Sequence, residues 1–277
     1  KYTGRAEVFS FRNAYHGSSI GAMSIMGSEI FKQGYYPLMP GVQHLKFNDF
    51  SDLEKITTRT ACVVAEVMQA EAGMILPQKN FLTALRQRCD QTGALLILDE
   101  IQTGLGRLGT LFGFESFGVE PDILLLAKSF GGGLPLGAFI ASRELMEVLS
   151  YNPALGHITT FGGNPVCCAA GKACFEALLD QDIWLSAPEK EKLFRDKLTH
   201  PSIREIRGKG LMLAVELGSE ELMHKVVEHG LNEGFVTDWF LFCETAIRIS
   251  PPLNITEEEI SDVCELINTS IDKATAQ

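Results

Sequence analysis

The chain has 277 residues, 45% of them apolar and 21% charged, a composition of globular proteins that excludes fibrous, low-complexity and disordered classes. With 24 Lys and Arg against 35 Asp and Glu the formal net charge is −11, a field that repels phosphate backbones and anionic lipid and argues against nucleic-acid and membrane-surface roles. Apolar runs such as residues 123–127 fall far short of the ~18 residues that a membrane-spanning helix needs, so a soluble, cytoplasmic protein is expected.

The chain opens at Lys1-Tyr2-Thr3-Gly4-Arg5, with no initiating Met and no secretory order of basic, apolar and small regions. Brief aliphatic or β-branched runs, ended by turn or polar residues, predict strands at 7–15, 61–68, 94–101, 122–127 and 137–141. Between the second and third, Phe81, Leu82, Leu85 and Cys89 share a helical face, and Gly93 supplies a left-handed stop. Strand, helix, strand in that order predicts an α/β fold with a mostly parallel sheet covered by helices. An Ala-rich helical pattern follows at 166–179. After it come short helices, strands at 210–217 and 246–250, and a terminal helix from Glu257. Thr256 and Glu259 form a capping box for that helix, and Ile260, Val263, Cys264 and Ile267 its apolar stripe. The expected organisation is a large domain over residues 1–181 and a smaller α+β domain over 182–277.

The 7 cysteines are odd in number, lie in apolar contexts and show no Cys-x-x-Cys spacing. They predict buried free thiols, with neither a disulfide framework nor a metal site.

Ligands of open α/β sheets gather at the carboxyl ends of the strands, which directs attention to the polar residues following two apolar runs. In ALLILDEIQTG, Asp99 and Glu100 follow four aliphatic residues; such a carboxylate either caps the next turn or faces a cationic partner. In LLLAKSFGGGLPLG, Lys128 follows a buried run and precedes Gly131, Gly132 and Gly133. One reading is a snorkelling Lys in a flexible loop. The other is a desolvated amine with the lowered pKa that Schiff-base chemistry requires, beside glycines that let backbone approach a flat ligand. A strand-end Asp together with a strand-end Lys suits pyridoxal 5′-phosphate, whose aldehyde condenses with an amine and whose ring nitrogen needs a carboxylate. The run from Gly104 to Gly109 has the spacing of a dinucleotide fingerprint, but TLFGFESFG after it is no helix, so a loop is expected there.

With these residues in place, the sequence resembles the class III (omega) aminotransferases, pyridoxal-phosphate enzymes of fold type I, acetylornithine and ornithine aminotransferases among them. Five motifs carry the resemblance in the family's order: AEVMQAEAG, LDEIQTGLGRLG, LLLAKSFGGGLPLGA, HITTFGGNPV and IRISPPLNITEEEI. In the first, Val67 and Ala70 replace the usual Pro and Gly. The resemblance implies that Lys128 forms the Schiff base and then shuttles a proton, that Asp99 bonds the ring nitrogen, and that Gln102 lies near the ring hydroxyl. It further implies that Tyr15 in AYHG stacks on one ring face and Ile101 on the other. Thr160 resembles the threonine that reaches the cofactor phosphate from a neighbouring subunit, which implies a homodimer with a shared site. Glu71 and Arg248 resemble a pair whose salt bridge covers the Arg for an omega-amino substrate and frees it for the carboxylate of a 2-oxo acid; an ordinary ion pair is the alternative.

The implied activity is a ping-pong transfer of an amino group from a primary amine or amino acid, an omega-amine in particular, to 2-oxoglutarate, pyruvate or another 2-oxo acid. An aminomutase or decarboxylase would share the same lysine and aspartate, and a catalytically silent fragment or binding homologue is a further alternative. Two departures stand out. Ser18 takes the position where the ornithine branches carry Arg, and the family's N-terminal arm with its Ser-Gly turn is not found, so a subunit lacking its N-terminal portion is expected.

Overall fold

The computed structural model describes residues 1–276. The chain divides into two compact units: Lys1–Val67, Pro77–Leu105 and Phe114–Gln181 form the first, and Met68–Leu76, Gly106–Gly113 and the residues from Asp182 form the second.

The first unit holds β1 (Glu7–Phe11), α1 (Ile20–Ile25), β2 (Val42–Leu45), β3 (Thr60–Glu66), α2 (Phe81–Thr92), β4 (Leu95–Asp99), β5 (Ile123–Leu126), β6 (Ala138–Ala141), α3 (Arg143–Glu147) and α4 (Pro165–Gln181). Its six strands lie in the order β2-β1-β3-β4-β5-β6, all parallel except β6, which runs antiparallel to β5. This is the expected mostly parallel sheet. Val63, Ala65, Leu96 and Leu98 are fully buried, as strands covered on both faces require. Phe11, Phe47, Phe50 and Phe81 pack edge to face, tying α2 to the sheet and to the loop after β2. Gly93 takes φ +67 and stops α2 as its sequence suggests.

Two departures from the sequence reading have local causes. The first strand ends at Phe11 and not at residue 15, because Asn13 turns to φ +58 and the Ala14 N–H returns to the Phe11 carbonyl at 3.2 Å. That turn carries Tyr15 and His16 past the sheet. Edge strand β2 was not expected; VQHL has one aliphatic residue at each end and pairs only with β1.

The second unit contains α5 (Ala187–Lys197), β7 (Glu205–Lys209), β8 (Met212–Glu216), α6 (Glu220–Glu233), β9 (Ala246–Ile249) and α7 (Glu257–Thr275). The strands form an antiparallel sheet in the order β7-β8-β9. Phe194, Leu213, Val215, Met223, Val226, Ile247, Ile260, Cys264 and Ile267 make its core. The Thr256–Glu259 capping box is present at the start of α7. β7 escaped the sequence reading because EIRGK carries one apolar side chain, and Gly210 and Leu211 form the turn into β8. Segments 68–76 and 106–113 belong to this unit through specific bonds. Arg207 Nε donates to the Gly73 carbonyl at 3.0 Å, and the Leu211 N–H donates to the Arg107 carbonyl at 2.9 Å.

All seven cysteines are free. Burial pushes the thiols of Cys62 to about 11 and of Cys89 and Cys264 to about 12, so these act as apolar packing groups. Against the expectation of buried thiols, Cys168 is exposed and Cys62, Cys167, Cys174 and Cys243 are half-buried. Among the described residues no helix is long and apolar enough to cross a membrane.

Gly210 has φ +60, and a Cβ there would run into the Arg107 carbonyl oxygen and lie 2.8 Å from Leu108 Cα. Gly210→Ala is therefore predicted to destabilise the protein by roughly 2 kcal/mol or more in urea denaturation, since strain and clash act together. Unchanged stability would contradict this close approach.

Candidate active site

The register of the first sheet sets Glu66 opposite Asp99 and Asp99 opposite Leu125, so the carboxyl ends of β3, β4 and β5 are aligned. Asp99, the last residue of β4, is 6% exposed. Its Oδ1 accepts the Ile101 N–H at 3.0 Å and its Oδ2 lies 2.8 Å from His16 Nδ1. One oxygen thus caps the turn and the other meets the His16 ring. An ionised carboxylate only accepts, so this bond requires Nδ1 to carry the hydrogen. His16 Nε2 is buried and has no hydrogen-bond partner among the described residues. The sequence marked His16 only as a neighbour of Tyr15. The turn after β1 is what swings it onto Asp99, and AYHG was the available signal.

Tyr15 is held at both ends. Its N–H donates to Glu66 Oε1 at 3.2 Å, and its hydroxyl pairs with Ser18 Oγ at 3.2 Å. Ser18, where an Arg would mark the ornithine branches, therefore orients the aromatic ring here. Ile101 and Gln102 are half-buried in the turn that follows Asp99. Glu100, 2% exposed, points elsewhere: it accepts the Thr103 hydroxyl at 2.9 Å and the Phe114 N–H at 2.6 Å, closing its loop. Residues 101–108 are turn throughout, so no helix start answers the glycine spacing from Gly104.

Lys128 stands two residues beyond β5, the strand beside Asp99's own. It opens a short 3-10 turn at φ +53, a conformation that costs a non-glycine residue energy and concentrates at functional sites. Lys128 is exposed, whereas Leu126 two residues before it is buried. The glycines also do something other than admit a ligand. A Cβ on Gly132 would meet the Ala170 carbonyl oxygen at 2.6 Å and Cys174 Cβ at 2.9 Å, so that glycine admits α4. Thr160 is exposed in the stretch 151–163.

In the second unit, Arg248 Nη2 donates to Glu71 Oε2 at 2.8 Å and to the Trp239 carbonyl at 3.2 Å. Its guanidinium carbon sits 4.7 Å from the centre of the Phe240 ring. Glu71 is 6% exposed, and its Oε2 and carbonyl accept the N–H groups of Leu241 and Phe242 at 3.2 and 3.0 Å. The ion pair expected from the sequence is thus formed.

The aminotransferase class-III family profile matches residues 1–271. An ornithine aminotransferase from Toxoplasma gondii ME49 aligns at 32% identity with a TM-score of 0.91, covering 99% of this chain and 66% of that one. An omega-transaminase from Thermomicrobium roseum aligns at 29% identity and TM-score 0.86, covering 98% and 68%. An amine transaminase from an uncultivated Pseudomonas species, solved in a PLP-bound form, gives 26% identity and TM-score 0.86, covering 99% and 70%. The chain spans just under two thirds of the length of that ornithine aminotransferase, 66% of it. The chain belongs to the class-III aminotransferases.

The cofactor of that family is pyridoxal 5′-phosphate, and the donor set of the first unit fits it. A primary amine and an oriented carboxylate stand at neighbouring strand ends, with an anchored aromatic ring and an unsatisfied imidazole nitrogen beside the carboxylate.

His16→Ala would leave one oxygen of a buried carboxylate without its donor. A loss of about 2 kcal/mol in thermal unfolding is expected, in the range for an unsatisfied buried acceptor; no loss would mean that Asp99 does not depend on His16.

Proposed function

We propose that this chain transfers an amino group from a primary amine or amino acid, omega-amines included, to a 2-oxo acid such as 2-oxoglutarate or pyruvate, in two half-reactions sharing one site. The observation that carries this reading is the buried, doubly bonded Asp99 on the strand beside the one that leads to Lys128. Pyridoxal 5′-phosphate, when bound, supplies an aldehyde that takes up amines and a ring that stores the electron pair of a broken C–H bond.

With the cofactor bound, Asp99 would accept the ring N–H through one carboxylate oxygen and so keep that nitrogen protonated. His16 fixes the orientation of Asp99 and, as a proton donor to it, keeps it from turning away. Lys128 Nζ would hold the cofactor through its aldehyde carbon and would carry the proton that leaves the donor carbon. Tyr15 and Ile101 would flank the ring and limit water on its two faces, and Gln102 would lie toward the ring hydroxyl. Arg248, once parted from Glu71, binds the acceptor's carboxylate with paired N–H bonds.

The same reading supplies a second copy of the chain. Leu155, Ile158, Phe161 and Val166 are 76, 71, 80 and 65% exposed within one short stretch, and Gly171 is the only buried residue of α4. Apolar surface of this density needs covering, and a two-fold partner would cover it while bringing Thr160 of one copy to the phosphate of the other. The seven free thiols support a reducing, cytoplasmic setting.

Donor titration tests the reading: the visible absorption of the cofactor-loaded protein should bleach with an amine donor and return with a 2-oxo acid. A band unmoved by a broad donor panel would defeat it, and products formed without consumption of a 2-oxo acid would assign a decarboxylase or mutase instead. Lys128→Ala is expected to reduce turnover at least about a thousandfold with cofactor still bound. For the assembly, Phe161→Asp should lower the mass measured by sedimentation to that of one chain; an unaltered mass would remove this face from the interface.

A further inference from the structure

Arg248 has two carboxylate partners, and they differ in kind. Glu71 is 6% exposed, makes a directed 2.8 Å bond to Nη2 and is itself held by the Leu241 N–H. Asp238 has a side chain 65% exposed and sets Oδ1 3.1 Å from Arg248 Nε, an ion-pair distance without a directed hydrogen bond. Nε is consequently a buried donor left unsatisfied. The placement of Asp238 is built into the backbone: the Arg248 N–H donates to the Asp238 carbonyl at 2.9 Å, and the Thr237 hydroxyl donates to the Arg248 carbonyl at 2.6 Å. Residues 237 and 238 therefore run alongside β9 and return a carboxylate to the strand's own guanidinium.

A carboxylate ligand is bound best by two parallel N–H bonds, and the edge formed by Nε and Nη2 is where both resident carboxylates already compete. Displacing Glu71 leaves a buried charge, whereas Asp238 has only to turn into water, where it is rehydrated at little cost. We propose that Asp238 is a specificity-determining gate: it competes with the acceptor's carboxylate for Arg248, weakens the binding of dicarboxylic 2-oxo acids, and keeps Nε covered when the substrate is an amine without a carboxylate. This rests on the reading of Arg248 as the carboxylate-binding residue. Asp238 yields first and Glu71 second, so acceptor preference is divided between an exposed and a buried carboxylate.

Calorimetric titration of the full chain with glutarate, a dicarboxylate that cannot exchange an amino group, tests the gate without turnover. Asp238→Asn is expected to bind glutarate roughly two- to fivefold more tightly than the parent at low ionic strength, the range for an exposed ion pair. The gain should shrink at about 0.5 M salt, where screening removes the effect of an exposed charge, and Asp238→Glu should restore the parent affinity. Parent-like affinity in Asp238→Asn, with binding lost in Arg248→Ala, overturns the gate and leaves Arg248 as the carboxylate site. Unchanged affinity in Arg248→Ala, or no binding by any of these proteins, overturns the Arg248 reading and the gate with it.

Discussion

A carboxylate buried at the end of a parallel strand must find donors or leave the interior, and the arrangement of the first unit follows from how three of them do so. Glu66, Asp99 and Glu100 are each at most 6% exposed. Glu66 takes the Tyr15 N–H, Asp99 takes the Ile101 N–H and His16, and Glu100 takes Thr103 and the Phe114 N–H. Each bond also positions a neighbour. The turn after β1 is pinned at Tyr15 and at His16, and the turn after β4 is pinned at its start by Asp99 and across its span by Glu100. Satisfying buried charge and orienting the residues of the site are the same set of bonds, which is why their geometry survives at the rim of a sheet.

The second unit solves the equivalent problem with guanidinium groups. Arg207 bonds Glu216 at 2.9 Å and the Gly73 carbonyl at 3.0 Å, and Arg248 bonds Glu71 at 2.8 Å. Both draw segment 68–76 into this unit, although it lies far earlier in sequence. For Glu216, burial pulls the carboxyl upward, but bonds from Thr245, Arg207 and the Gly218 N–H outweigh it and hold the group below the ordinary value. That net direction marks a carboxylate better served by its donors than by water. An Arg used this way has its donors satisfied by the fold, whereas the buried Nε of Arg248 lacks a directed bond and has only the 3.1 Å ion pair with Asp238.

Strand content and the parallel order were legible because the central strands are continuous aliphatic runs separated by a helix-period segment with a glycine stop. Edge elements were not. VQHL and EIRGK have too few apolar residues to declare themselves, since an edge strand is held by ladder bonds on one side and shows no hydrophobic period. The site divides in the same way. Asp99 and Lys128 stood out as polar residues ending apolar runs, and the family resemblance is carried by five motifs in order along the chain. His16 had no such signal, because its importance comes from a bond to a residue 83 positions away.

By itself the sequence determined the kinds of element, the parallel sheet, a carboxylate and an amine at the ends of strands, and the family. These depend on periodicity and local order, which are properties of neighbouring residues. Only the tertiary structure decided that His16 holds Asp99, that Ser18 holds Tyr15, that Gly132 accommodates α4, that Lys128 takes a positive φ, and that Asp238 shares Arg248 with Glu71. Those outcomes depend on backbone turns that set distant side chains within about 3 Å of one another, or bring packed backbone that close, at a range where hydrogen bonding and excluded volume act and sequence spacing carries no information.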